Sequence, residues 1–285
     1  MAQPRAAAQP QHPVDDAERR HRYLIGAGAI LGGPANVVMQ LSLLPVGRGV
    51  VESTVESGSY ATNPGKRAKT TLTYLAVAML GTEEDRAVFR EAVGTSHRQV
   101  RNRPGGPVKY NAFDPRLQLW VAACIYRGTR DSLELLFGEL DEGFAEELYQ
   151  DSARFGTTLQ MPAEMWPADR AAFDRYWDSM LGELDLDAEV RGYLLDNVVD
   201  LGPQPWIIRI AGRRVNRFFV TGYLPQRFRD SLGLAWSPRR QRAFELIMRG
   251  IGRVLAALPP GWRHQPFPRL VVDMRRRRAA GKPLV

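Results

Sequence analysis

Apolar residues recur along this chain at intervals of three and four, and no stretch alternates apolar with polar residues for long enough to build a sheet. That periodicity predicts a nearly all-α fold. Its clearest instance begins at Thr82 and leads to Trp120. Thr82 is placed to cap a helix, and Glu83, Glu84 and Asp85 occupy the first turn, where the helix dipole favours negative charge. Phe89, Val93 and His97 then recur every four residues on one apolar stripe. A loop with Pro104, Gly105, Gly106 and Pro107 follows. Tyr110-Asn111-Ala112-Phe113-Asp114-Pro115 leads into an apolar segment from Leu117, so helix end, loop and next helix start enclose a pocket below His97. A histidine on such a stripe is more often a neutral core residue with one hydrogen bond. Imidazole is also a common metal ligand, and burial helps by excluding competing water. The pattern admits both readings.

Other segments extend the same reading. Lys66 to Leu80 forms a helix ended by Gly81, with Arg67 and Thr71 four apart on one face. An arginine at the open end of such a helix is either a surface charge or a clamp for a carboxylate. Gly-Gly-Pro and Leu-Pro breaks divide Ile25 to Val51 into buried helices, and GAGAILGG lacks the Lys and Ser/Thr of a phosphate-binding loop. Leu117 to Tyr126 reads as one apolar helix and Arg130 to Gln150 as an acidic pair. Asp169 to Leu184 carries Phe173, Tyr176, Trp177 and Met180 on one stripe, and residues 187 to 200 continue helical. Trp206 to Tyr223 is basic, with Arg209, Arg213, Arg214 and Arg217 interleaved among apolar residues. It reads as a helix whose arginines snorkel or pair with acidic helices, or as a nucleic-acid surface. Two more helices divide at Trp236-Ser237-Pro238. Residues 1–15 are expected to be a disordered tail with a helix starting near Asp15 or Asp16, residues 16–270 a single multi-helix domain, and residues 271–285, with Arg275 to Arg278, a solvated basic tail.

Composition limits the chemistry. The single cysteine, Cys124, excludes an intrachain disulfide and any thiolate-clustered metal site within one chain. The four histidines are His12, His21, His97 and His264, with His12 in the Pro/Gln/Ala-rich tail, so a multi-histidine site is not expected. A metal at His97 would need a macrocycle or carboxylates to complete its coordination. The N-terminus has no apolar core of the signal type, which predicts a cytoplasmic protein, and the glycines and prolines of residues 24–51 make a poor transmembrane span.

The ordered set Gly33-Pro34, Gln40, Pro45, Gly49-Val50, Ser57, Asn63-Pro64 with Arg67 and Thr71, His97 with Val100, Tyr110 to Pro115 and Trp120-Val121 resembles the MpaB-like oxygenases, a superfamily that includes the latex-clearing proteins. FGTTLQMP, FDRYWDSML and LPQRFRDSLGL fit as well, so the likeness spans roughly residues 22 to 245. It implies an all-α single domain similar to globin-like helical haem proteins, which binds haem b and uses dioxygen on an apolar substrate such as an isoprenoid double bond. Carried over by position, His97 is the axial iron ligand, while Arg67 and Thr71 lie against the haem in cofactor-binding and catalytic roles. Two positions depart from the pattern: Ala122 stands where relatives commonly have a histidine, and Thr70 where latex-clearing relatives have a lysine, with Lys66 and Lys69 nearby. A non-catalytic carrier of haem or of an apolar ligand is the alternative. A nucleic-acid partner is not expected, because the arginines are dispersed over several elements.

Overall fold

The segment that follows Asp114 folds into one 23-residue helix that the rest of the chain surrounds. The computed structural model describes residues 30–53, 62–102 and 105–285. The expected N-terminal tail and first helix, and Ser57, lie outside the described residues.

In chain order the helices are α1 (Gly33–Leu41), α2 (Leu44–Val51), α3 (Pro64–Leu80), α4 (Glu83–His97), α5 (Pro115–Phe137), α6 (Glu142–Ser152), the short α7 (Arg154–Thr157), α8 (Arg170–Gly182), and α9 (Ala188–Tyr193), which runs into a π-helical turn, Leu194–Val199. Then come α10 (Trp206–Tyr223), α11 (Gln226–Leu232), α12 (Pro238–Ala257), the short α13 (Pro260–Arg263) and α14 (Phe267–Ala279). The fold is all-α, and among the described residues strand-like pairing is confined to an isolated bridge between Arg101 and Asn111. Local chemistry sets many of the starts. The side chains of Thr82, Asp114, Asp141, Asp169, Asp187 and Ser237 each accept a hydrogen bond from a backbone N–H two or three residues on, and prolines open α3, α5 and α12.

Trp120, Ala122, Ala123 and Cys124 on α5 are fully buried, and Tyr126 nearly so. Trp120 stacks on Trp177 with centroids 5.3 Å apart, and Tyr126 meets Phe173 edge-on at 4.7 Å. Small residues let neighbours come close. Asn36 of α1 lies over Gly128 and donates to the Cys124 carbonyl at 2.6 Å, and the Trp120 indole N–H donates to the Gln40 carbonyl at 3.0 Å. One expectation fails here. The apolar helix does not stop near Tyr126 but runs on to Phe137, because Gly128 is tolerated mid-helix and the chain turns only at Gly138, whose φ of 87° suits glycine.

The C-terminus also differs from the expected solvated tail. Residues 267–279 form α14, which packs along α3 and buries Val271 and Met274; Met274 and Leu284 join Val77 of α3 and Phe89 of α4 in a small second cluster. The run Arg275 to Arg278 masks this apolar spacing in the sequence. Arg275 instead makes a two-armed ion pair with Asp85, at 2.6 Å for the closer arm, and Arg278 pairs with Glu84 at 2.9 Å.

Two outcomes follow from this packing. A methyl group at Gly252 would land on the Leu136 carbonyl, so Gly252→Ala forces α12 off α5 and costs about 3 kcal/mol in urea unfolding. The Arg275 pair and the Thr82 cap hold the Asp85 carboxyl down from 3.8 to about 2, against the opposing effect of its burial. This stabilisation is present above 3.8 and lost as pH falls through about 2. Asp85→Asn should therefore cost about 2 kcal/mol at neutral pH, with the gap to the parent protein closing through that acid window.

Candidate functional site

His97 is the last residue of α4, and its position is set from both ends of that helix. At the N-terminus Thr82 and Asp85 exchange hydrogen bonds in a capping box, Thr82 N–H to Asp85 at 2.9 Å and Asp85 N–H to Thr82 at 3.2 Å. Beyond the C-terminus the chain doubles back. Asn102 N–H donates to the Tyr110 carbonyl and Ala112 N–H to the Val100 carbonyl, both at 2.9 Å, which brings Phe113 edge-on to the His97 ring with centroids 6.2 Å apart. The expected corner of helix end, loop and next helix start is therefore formed. Gln118 near the start of α5 locks it to the segment after α7, donating to the Gln160 side chain at 2.8 Å and accepting from the Gln160 N–H at 3.0 Å.

From a second side, α2 supports the corner. Gly49 lies against Val100 and Tyr110, and the Tyr110 hydroxyl donates to Glu52 at 2.9 Å. Arg48 joins α2 to α9 by pairing with Asp187 at 2.6 Å and with Glu189, while also reaching Glu52 at 3.4 Å. Because Asp187 is the N-cap of α9, this pairing fixes the helix that ends in Tyr193.

Arg67, in the first turns of α3, is exposed to solvent, yet the protein around it desolvates its guanidinium and lowers its pKa; Tyr193 lies within electrostatic reach. The charge of Arg67 is felt at the corner that carries His97. The ring is half-buried, its Nδ1 is wholly buried with no hydrogen-bond partner, and its pKa is pushed down to about 4, first by burial and then by the charge of Arg67. The imidazole is neutral at physiological pH and keeps a free lone pair, the state in which histidine binds a metal.

The structure thus brings His97 and Arg67 within electrostatic reach of one another, and Thr71 stands half-buried one turn beyond Arg67 on α3. Tyr193 belongs to the same neighbourhood, but no spacing in the sequence marks it; the only local signal is the π-helical turn it precedes, a distortion frequent at functional sites. Ala122 is fully buried in the core, and Lys69 pairs with Asp273 of α14 at 2.8 Å. Among the described residues no three His, Cys, Asp or Glu side chains converge as a metal site.

An all-helical domain packed around one long buried helix is the class that these features define. The chain belongs to the family described as ER-bound oxygenase mpaB/B'/Rubber oxygenase, catalytic domain, matching that family's model over residues 20–253, and is accordingly an oxygenase-family protein. It is 51% identical over 214 residues to the uncharacterized protein Rv2237 of Mycobacterium tuberculosis and, equally, to the uncharacterized protein Mb2261 of Mycobacterium bovis, covering 75% of this chain and 84% of each relative. No solved structure matches the chain.

Arg67→Gln removes a cation from the neighbourhood of His97. In the cofactor-free protein the histidine pKa, followed by NMR titration of the ring, should rise from about 4 and stay short of 6.5, because burial is the larger cause.

Proposed function

We propose that this oxygenase domain holds haem b, for which His97 would hold the iron and Arg67 and Thr71 would help to bind the group. The observation that carries the reading is the His97 ring, neutral and with a buried nitrogen that no protein group satisfies, beside a desolvated arginine. An orphaned polar atom of that kind is costly in a core and calls for a partner. A single-histidine site also suits a metal that arrives with most of its ligands already in a macrocycle.

Each side chain has a definite task. His97 offers its lone pair, and α4 and Phe113 fix the ring plane. Arg67 presents a planar set of donors matched to a propionate carboxylate. Phe113, edge-on to the ring, sheds water from the histidine side. The haem, when bound, supplies the dioxygen chemistry that no side chain has. The substrate class is apolar, an isoprenoid alkene or a similar secondary metabolite, and the location cytoplasmic. A carrier without turnover is the second reading, favoured by the burial of Ala122 at a position where relatives commonly have histidine.

Protein purified from cells supplied with a haem precursor should show a Soret band and visible bands that shift with dithionite. His97→Ala should lose the Soret band while far-ultraviolet circular dichroism stays helical. Undiminished haem retention in that variant would remove His97 from the coordination sphere. Haem-loaded protein that consumes no oxygen with any apolar alkene would favour the carrier.

A further inference from the structure

The apolar stripe of α10 continues past the point where the protein stops covering it. In the C-terminal half Phe218 packs against Trp236 at 5.2 Å and Phe244 at 6.1 Å, and Gly222 sits under the Phe244 ring. Going toward the N-terminus the same stripe runs through Val215, Ala211 and Ile207, all exposed. Every residue from Pro205 to Val215 except Gly212 is exposed, so among the described residues this half of the helix touches the body on one side only, through Gly212 against Leu201 and Arg213 on Asp200. It is also the most apolar stretch of the helix: Trp206 is 67%, Ile207 61% and Ile210 71% accessible. Contiguous exposure of this kind marks a contact surface.

Charge identifies the partner. Helices α10 and α12 pack together and between them carry nine arginines and one glutamate, a balance of +8 that equals the formal net charge of the whole chain. Asp200 pairs with Arg213 and Arg217, but no carboxylate of the described residues pairs with Arg209, Arg214, Arg242 or Arg253. On the outer face of α12, Leu246 and Val254 lie exposed beside Arg242 and Arg253. Aliphatic side chains and a tryptophan beside unpaired arginines match a surface that is apolar inside and anionic outside. A nucleic acid offers no partner for the aliphatic part, and arginines spread over two helices, α10 and α12, suit a broad anionic surface better than a groove that takes one helix. Among the described residues no helix is long and apolar enough to cross a membrane, so contact of this sort lies in the headgroup plane.

We propose that α10, aided by α12, docks the protein on an anionic lipid bilayer, with Trp206, Ile207 and Ile210 in the interface and the arginines on lipid phosphates. The proposal rests on exposed residues of α10 and α12 and does not depend on the cofactor assignment.

Full-length protein is sedimented with vesicles of phosphatidylcholine containing about a third phosphatidylglycerol, and with phosphatidylcholine alone. Binding should occur to the anionic vesicles only and weaken as salt rises. Ile207→Asp with Ile210→Asp should weaken it at least about tenfold, and Arg209→Gln with Arg214→Gln about fivefold per arginine. All four positions are exposed, so thermal unfolding should not change. No sedimentation with anionic vesicles, or binding that both pairs of substitutions leave intact, overturns the proposal. So does a two-chain mass in light scattering that the Ile207 and Ile210 substitutions halve, since a second copy would then occupy the face.

Discussion

Burying α5 on nearly every side is the constraint that the other helices serve. A long helix hidden from water needs apolar partners around its whole circumference, and α1, α6, α8 and α12 provide them. Close approach is bought with small residues, Gly128 under Asn36 and Gly252 on Leu136, rather than with large side chains meeting tip to tip. The start of α5 is thereby held still. Gln118 and Asp114, at that start, brace the corner that carries Phe113 to His97, so the order of that corner derives from the order of the core.

Electrostatics gives the corner its character. A histidine that is half-buried next to a cation has little prospect of taking a proton, and its nitrogens stay available to something else. Arg67 experiences the converse: placed in a desolvating wall with Tyr193 near, it gains from any anion that enters. The two residues disfavour each other's charge and jointly suit a ligand that brings both a Lewis acid and carboxylates.

The sequence discloses what repeats locally. Period-four stripes located α3, α4 and α8, the Thr82 cap and acidic first turn fixed the beginning of α4, and the proline-containing segment after His97 announced the turn that forms the corner. Contacts between distant segments were out of reach. Tyr193 enters only because Arg48 ties α2 to the cap of α9, 139 residues away, and no periodicity encodes such a pairing. The packing of the C-terminal helix is hidden for a related reason: its arginines are largely exposed, as their charge implies, whereas docking depends on two or three positions such as Val271 and Met274. Continuity of α5 through Gly128 was lost because glycine weakens a helix in isolation but helps where another helix must come close.

The last helix has a bearing on how the boundaries of this domain should be drawn. Similarity to the family ends at residue 253, inside α12, while α14 lies later in the chain and closes over α3 and α4, the two helices that present Arg67 and His97. A fragment trimmed to the conserved span would leave Val77 and Phe89 open to water and Asp85 without its arginine. The unit that folds is therefore longer than the span that matches the family.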